Sequence, residues 1–147
     1  MKRLSLYIVL LLAGLILIGT KQVSAQQPMK KATVIKTLED AKWEALPNGQ
    51  GAMTAKIRGD QTKGAYAALT KFPAGFKAPL HYHTNDIKLV VIQGAYTYNG
   101  KQYGPGSYLF IPGGDKHESG GIDGSETIFY MEQPGKFDLK PVTPKKK

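Results

Sequence analysis

Gly75-Phe76-Lys77-Ala78-Pro79-Leu80-His81-Tyr82-His83-Thr84-Asn85-Asp86-Ile87, followed by a further glycine at Gly94, places two histidines one residue apart on a segment without helical periodicity. Side chains alternate faces along extended backbone, so His81 and His83 project to the same side and both imidazoles can reach one ion. Pro79 restrains the backbone just ahead of them. A second stretch carries the third histidine: Gly106, then Pro112-Gly113-Gly114, then His117. A lone histidine is most simply a surface or hydrogen-bonded core residue. Here all 3 histidines of the chain stand in two short, glycine-bounded stretches.

Outward from these stretches the chain reads as all-β. Short runs rich in Val, Ile, Thr, Tyr and Phe are separated by glycine or proline at close intervals, the pattern of a sandwich or barrel. Strands are expected over 52–57, 65–72, 87–93, 95–98, 101–103, 107–111, 116–119 and 126–132, and no long amphipathic stretch competes with them. The Asn99-Gly100 pair between Tyr96-Thr97-Tyr98 and Lys101-Gln102-Tyr103 predicts a tight hairpin, because both residues accept positive φ. Trp43 is expected to pack across one end of the core. The tyrosines Tyr96, Tyr98, Tyr103 and Tyr108 sit where aromatics commonly pack in sheets.

The ends have a different character. Lys2 and Arg3 precede an apolar run from Leu6 to Ile18, and Val23-Ser24-Ala25 follows. That is the organisation of a secretory signal peptide over 1–25, with cleavage expected after Ala25. The run is shorter than the roughly 20 residues that span a bilayer, so no stable membrane insertion is expected after cleavage, and the mature chain is expected in the periplasm or secreted. Residues 26–45 read as an N-terminal arm, 46–139 as the folded domain, and 140–147 as a basic, disordered tail. The formal charge of +9 falls to +6 once Lys2, Arg3 and Lys21 are removed. With no cysteine, an exported domain has no disulfide and relies on its core. No basic stripe interleaved with aromatics suggests nucleic acid as a partner.

The two histidine stretches resemble the paired motifs of the cupin superfamily. Gly75, His81, His83 and Gly94 fit the first motif, and Gly106, Pro112, Gly114 and His117 fit the second. The resemblance covers roughly residues 46–135 and extends to single-cupin proteins such as the cupin domains of ChrR-like anti-sigma factors. It implies a double-stranded β-helix, the jelly-roll barrel, with His81, His83 and His117 holding one divalent transition-metal ion (Fe, Mn, Ni, Cu or Zn). It also implies a homodimer. Two positions depart: the superfamily's glutamate falls on Ile87 and its asparagine on Gly121.

Three neutral imidazoles leave an ion's +2 charge uncompensated, which favours an anionic or chelating small-molecule ligand. Asp86 is a candidate fourth ligand, although alternation turns it away from the face Ile87 shares. Glu118 is expected to point outward beside His117, as is Lys88 beside Ile87, and Glu132 could face either way. Two functions follow from different classes. One is a metal-dependent enzyme of the dioxygenase type, with isomerase or lyase chemistry next. The other is a non-catalytic module that binds or senses a metal or small ligand.

Overall fold

The computed structural model describes residues 33, 35–47 and 49–143. The expected leader over 1–25 and Lys145-Lys146-Lys147 lie outside them. The strands in chain order are β1 (Glu44–Ala45), β2 (Met53–Gly59), β3 (Tyr66–Phe72), β4 (Lys77–Tyr82), β5 (Ile87–Gln93), β6 (Tyr96–Tyr98), β7 (Lys101–Tyr103), β8 (Tyr108–Ile111), β9 (His117–Gly120), β10 (Thr127–Gln133) and β11 (Lys140–Pro141). Among the described residues there is no helix, and so none long and apolar enough to cross a membrane.

Two antiparallel sheets make the jelly roll: a six-stranded sheet in the order β1-β2-β3-β10-β5-β8 and a five-stranded sheet in the order β11-β4-β9-β6-β7. Period-two alternation sets their facing sides. In β5, Ile87, Leu89 and Val91 are buried while Lys88 and Ile92 are exposed. Phe129 of β10 meets Phe72 of β3 edge-on at 4.9 Å and Tyr96 of β6 at 5.1 Å, joining the two sheets through an aromatic core. The β6–β7 hairpin turns on Asn99 (φ 47) and Gly100 (φ 79), both in the left-handed region that such a turn requires. Gly94 also has positive φ (68), and a Cβ there would stand 2.5 Å from the Glu126 carbonyl oxygen, so two constraints demand glycine.

Every expected strand is present, with ends displaced by no more than two residues. Three strands were not expected. β4 contains Pro79, which reads against a strand, but its pairing with β9 slips between Ala78 and His81, and proline is tolerated in such a bulge. β1 and β11 are too short to carry an alternation. β11 corrects the expectation of a disordered tail from 140: Lys140 and Pro141 pair with Tyr82 and His81, and the Val142 amide donates to the Leu80 carbonyl at 3.0 Å. Trp43 is half-buried beneath the Lys71 ammonium, 4.8 Å from its ring centre. Lys71 lies on the opposite face of β3 from the core residue Phe72, so Trp43 covers the outside of the sheet and not an end of the core.

Candidate metal centre

β4 and β9 run antiparallel with His81 directly opposite His117, and His83 follows the end of β4 by one residue. The three side chains therefore converge: one ring nitrogen from each lies within 4.8 Å of the others. All are buried, with His117 fully so.

Hydrogen bonds fix the tautomer of each ring. The His81 Nδ1–H donates to the Pro79 carbonyl at 2.8 Å, the His117 Nδ1–H to the Asp115 carbonyl at 3.1 Å, and the His83 Nδ1–H to the Asp138 carbonyl. A carbonyl oxygen only accepts, so each Nδ1 holds a proton, and Nε2 is the ring nitrogen left available to an ion. The Nε2 of His117 is buried and has no partner in the protein. Burial lowers the pKa of His81, and it pushes that of His83 down to about 4. Neutral imidazoles with Nδ1 anchored and Nε2 free are the donor set that a divalent transition-metal ion requires, so the residues fit such an ion.

A second layer holds the rings. Asp138 caps the turn after β4: its Oδ1 accepts the Thr84 amide at 2.9 Å, its Oδ2 accepts the Thr84 hydroxyl, and Lys140 stands 3.5 Å away. Burial raises the Asp138 pKa, but these hydrogen bonds and the Lys140 charge outweigh it and leave the carboxyl below its ordinary value. On the other side, Tyr98 stacks on His117 at 5.1 Å and donates its hydroxyl to the Asp115 carboxylate. That bond, ahead of burial, holds the Tyr98 hydroxyl up at about 12.

The candidate acidic ligands are placed elsewhere. The Asp86 carboxylate accepts the Gly113 amide at 2.8 Å and ties the turn after β4 to the loop before β9. Glu132 faces out of the barrel, where Arg58 donates to it at 3.1 Å and the Tyr130 hydroxyl also donates. Glu118 and Lys88 are exposed. Ile87, at the superfamily's glutamate position, is buried opposite Ile111 and lines the cavity beside the histidines.

That cavity measures about 500 Å³. His81 and His83 form one wall, and Phe72, Leu89, Phe129 and Met131 form much of the rest. Phe137, Asp138, Leu139 and Pro141 also line it, with the Phe137 amide bonded to the Gln61 carbonyl at 2.8 Å. Sequence reasoning missed Asp138 and Tyr66, both of which line the cavity. The role of Asp138 at His83 belongs to its main-chain oxygen, for which side-chain identity carries no signal. Tyr66 could be read only as one more inward aromatic of β3.

Comparison with known proteins agrees with this geometry. A chain from the Rhodobacter sphaeroides SigE complex with the anti-sigma ChrR superposes with a TM-score of 0.56 at 26% identity, over 67% of this chain and 52% of that one. The present chain thus spans about half of that relative's length. An RmlC-like cupin from Ralstonia eutropha matches with a TM-score of 0.60 at 20% identity, over 74% and 79% of the two chains. An acetylacetone dioxygenase from Acinetobacter johnsonii matches with a TM-score of 0.63 at 18% identity, over 82% and 85%. No curated protein matches the sequence. Residues 34–145 match the family model of a domain of unknown function, DUF4437, wider at both ends than the 46–139 expected from the sequence; the chain has the cupin fold and belongs to the DUF4437 family.

Proposed function

We propose that this protein binds one divalent transition-metal ion through His81, His83 and His117 and presents it to a small molecule in the adjoining cavity. The observation that carries the reading is the tautomer pattern: three Nδ1–H groups committed to carbonyl oxygens, with the three side chains converging. When bound, the ion would supply Lewis acidity to an anionic or chelating ligand and, where redox-active, the electron exchange that oxygen chemistry needs. The protein's own part is to orient the imidazoles through the carbonyl oxygens of Pro79, Asp115 and Asp138 and to line the adjoining cavity with apolar side chains.

An enzyme of the dioxygenase type is the first reading, supported by the open cavity beside the ligands and by the fold shared with an acetylacetone dioxygenase. The alternative is a non-catalytic module that binds metal or a small ligand, supported by the lack of any general base among the described cavity residues beyond the histidines and the already bonded Asp138. Metal analysis of natively purified protein, with oxygen uptake on candidate chelating substrates, separates them. Iron with uptake supports the enzyme; zinc or copper without uptake supports the binding module; a chain that retains no metal refutes the enzyme and the metal-binding form of the module. Export belongs to the same proposal and requires a mature N-terminus at Gln26, whereas an intact Met1 in the exported fraction refutes it. Dimerisation is tested by light scattering at micromolar concentration, where a monomer mass refutes it.

A further inference from the structure

The cavity contains a polar group that the metal reading does not use. Tyr66 opens β3 in the six-stranded sheet and lines the same cavity as His81 and His83 of the five-stranded side. It is 5% exposed, and its buried hydroxyl has no hydrogen-bond partner in the protein. Buried tyrosine hydroxyls normally find a partner, and leaving one without is costly. Burial first, and the Asp138 carboxylate second, push its pKa up, so the group stays protonated and acts as a donor.

The rest of the lining narrows the ligand. Among the described residues no lysine or arginine faces the cavity, and its carboxylate, Asp138, is held by Thr84 and Lys140. The Thr70 hydroxyl is occupied by the Met131 sulfur at 3.2 Å, and Thr54 by Gln61 at 3.3 Å. The deep walls are Phe72, Leu89, Phe129 and Met131. Such a space has nothing to neutralise a second charge, and its remaining side-chain polar groups, on Gln50, Gln61, Tyr96 and Ser119, are few against its apolar walls.

We propose that this cavity selects a ligand with a single oxygen-bearing, metal-binding head and a compact apolar body, and that the Tyr66 hydroxyl donates a hydrogen bond to the head. The inference rests on the metal reading, because the head needs an ion at the histidines. It assigns Tyr66 as a binding residue and excludes sugars and polyacids as substrates.

The test uses the full chain loaded with zinc and a series of hydroxamates, which are bidentate single-headed probes. Acetohydroxamate, butanohydroxamate and hexanohydroxamate are titrated calorimetrically beside gluconohydroxamate, and protein-retained zinc is assayed after each titration. Affinity is expected to rise about fourfold per methylene, with gluconohydroxamate the weakest of the six-carbon pair. Tyr66→Phe, which keeps the ring, is expected to weaken hexanohydroxamate about tenfold at unchanged zinc content. With zinc retained, an affinity independent of chain length, a preference for gluconohydroxamate, or full affinity in Tyr66→Phe overturns the inference and leaves the metal reading standing. A wild-type chain that holds no zinc refutes the metal reading, and the head-first pose with it. Should Tyr66→Phe misfold, the chain-length series on the wild type decides alone.

Discussion

The two sheets of the barrel divide the work unequally. The six-stranded sheet is built on β2, β3, β5 and β10, each seven residues long, and supplies most of the buried apolar cluster. The five-stranded sheet has shorter strands, a bulge at Pro79, and two of the three histidines directly opposite each other. Long ladders maximise buried area, and the six-stranded sheet absorbs register shifts between Lys56 and Arg58 and between Ile128 and Phe129 while keeping its seven-residue strands paired. A site that must aim three imidazoles at one point needs the bulge and the turns of the other sheet. Stability and chemistry therefore sit on facing walls, and substitutions on the two walls should fail in different ways.

The largest effect is expected on the histidine wall. His117→Ala removes one of the three proposed ligands and should abolish binding of one metal per chain, as should His81→Ala, read by metal content after gel filtration. A variant that keeps stoichiometric metal would break the division. Next, Phe129→Ala on the apolar wall should lower unfolding stability by about 3–5 kcal/mol in chemical denaturation, while the folded fraction still binds metal at one per chain. Loss of metal from well-folded protein would show that the walls are not separable.

A third test uses acid. The His83 pKa is about 4 in the fold against an ordinary 6.5. Between these values the unfolded chain takes up a proton and the folded chain does not, so stability rises with pH there. Metal-free protein should accordingly lose stability as pH falls from about 6.5 toward 4, by up to about 3 kcal/mol from His83, with His81 adding in the same direction. A melting temperature flat across this window would mean that the rings are solvated. The smallest effect sharpens the comparison at its border: Asp86→Ala should cost about 1 kcal/mol through the lost bond to the Gly113 amide and alter metal affinity less than about threefold. If it loses the metal as His81→Ala does, Asp86 is a fourth ligand.

Much of this was legible in the sequence where a local rule applied. Alternation along β5, the Asn99-Gly100 hairpin and the spacing of the two histidine stretches each carry their geometry in adjacent residues. β4 was hidden because Pro79 argues against a strand, and only its pairing with β9 reveals the bulge that accommodates it. The direction of Glu132 was open because a strand end offers no alternation beyond it, and Arg58, 74 residues away, settles it. Tyr66 was illegible as a site residue for a different reason. Its distinction is a hydroxyl left without a partner, which depends on every neighbour the fold supplies.

The hydrogen bond from His83 to the Asp138 carbonyl carries a consequence for how the protein is made. Synthesis proceeds from the N-terminus, so all three imidazoles have been added to the chain once His117 is in place, but the acceptor that orients one of them comes much later. A nascent chain that ends anywhere between the two carries the full ligand set with one ring unanchored. The anchor of His83 can therefore form only after Asp138 has been added and its segment has docked beside β4, which makes it the last of the three ring anchors to become available.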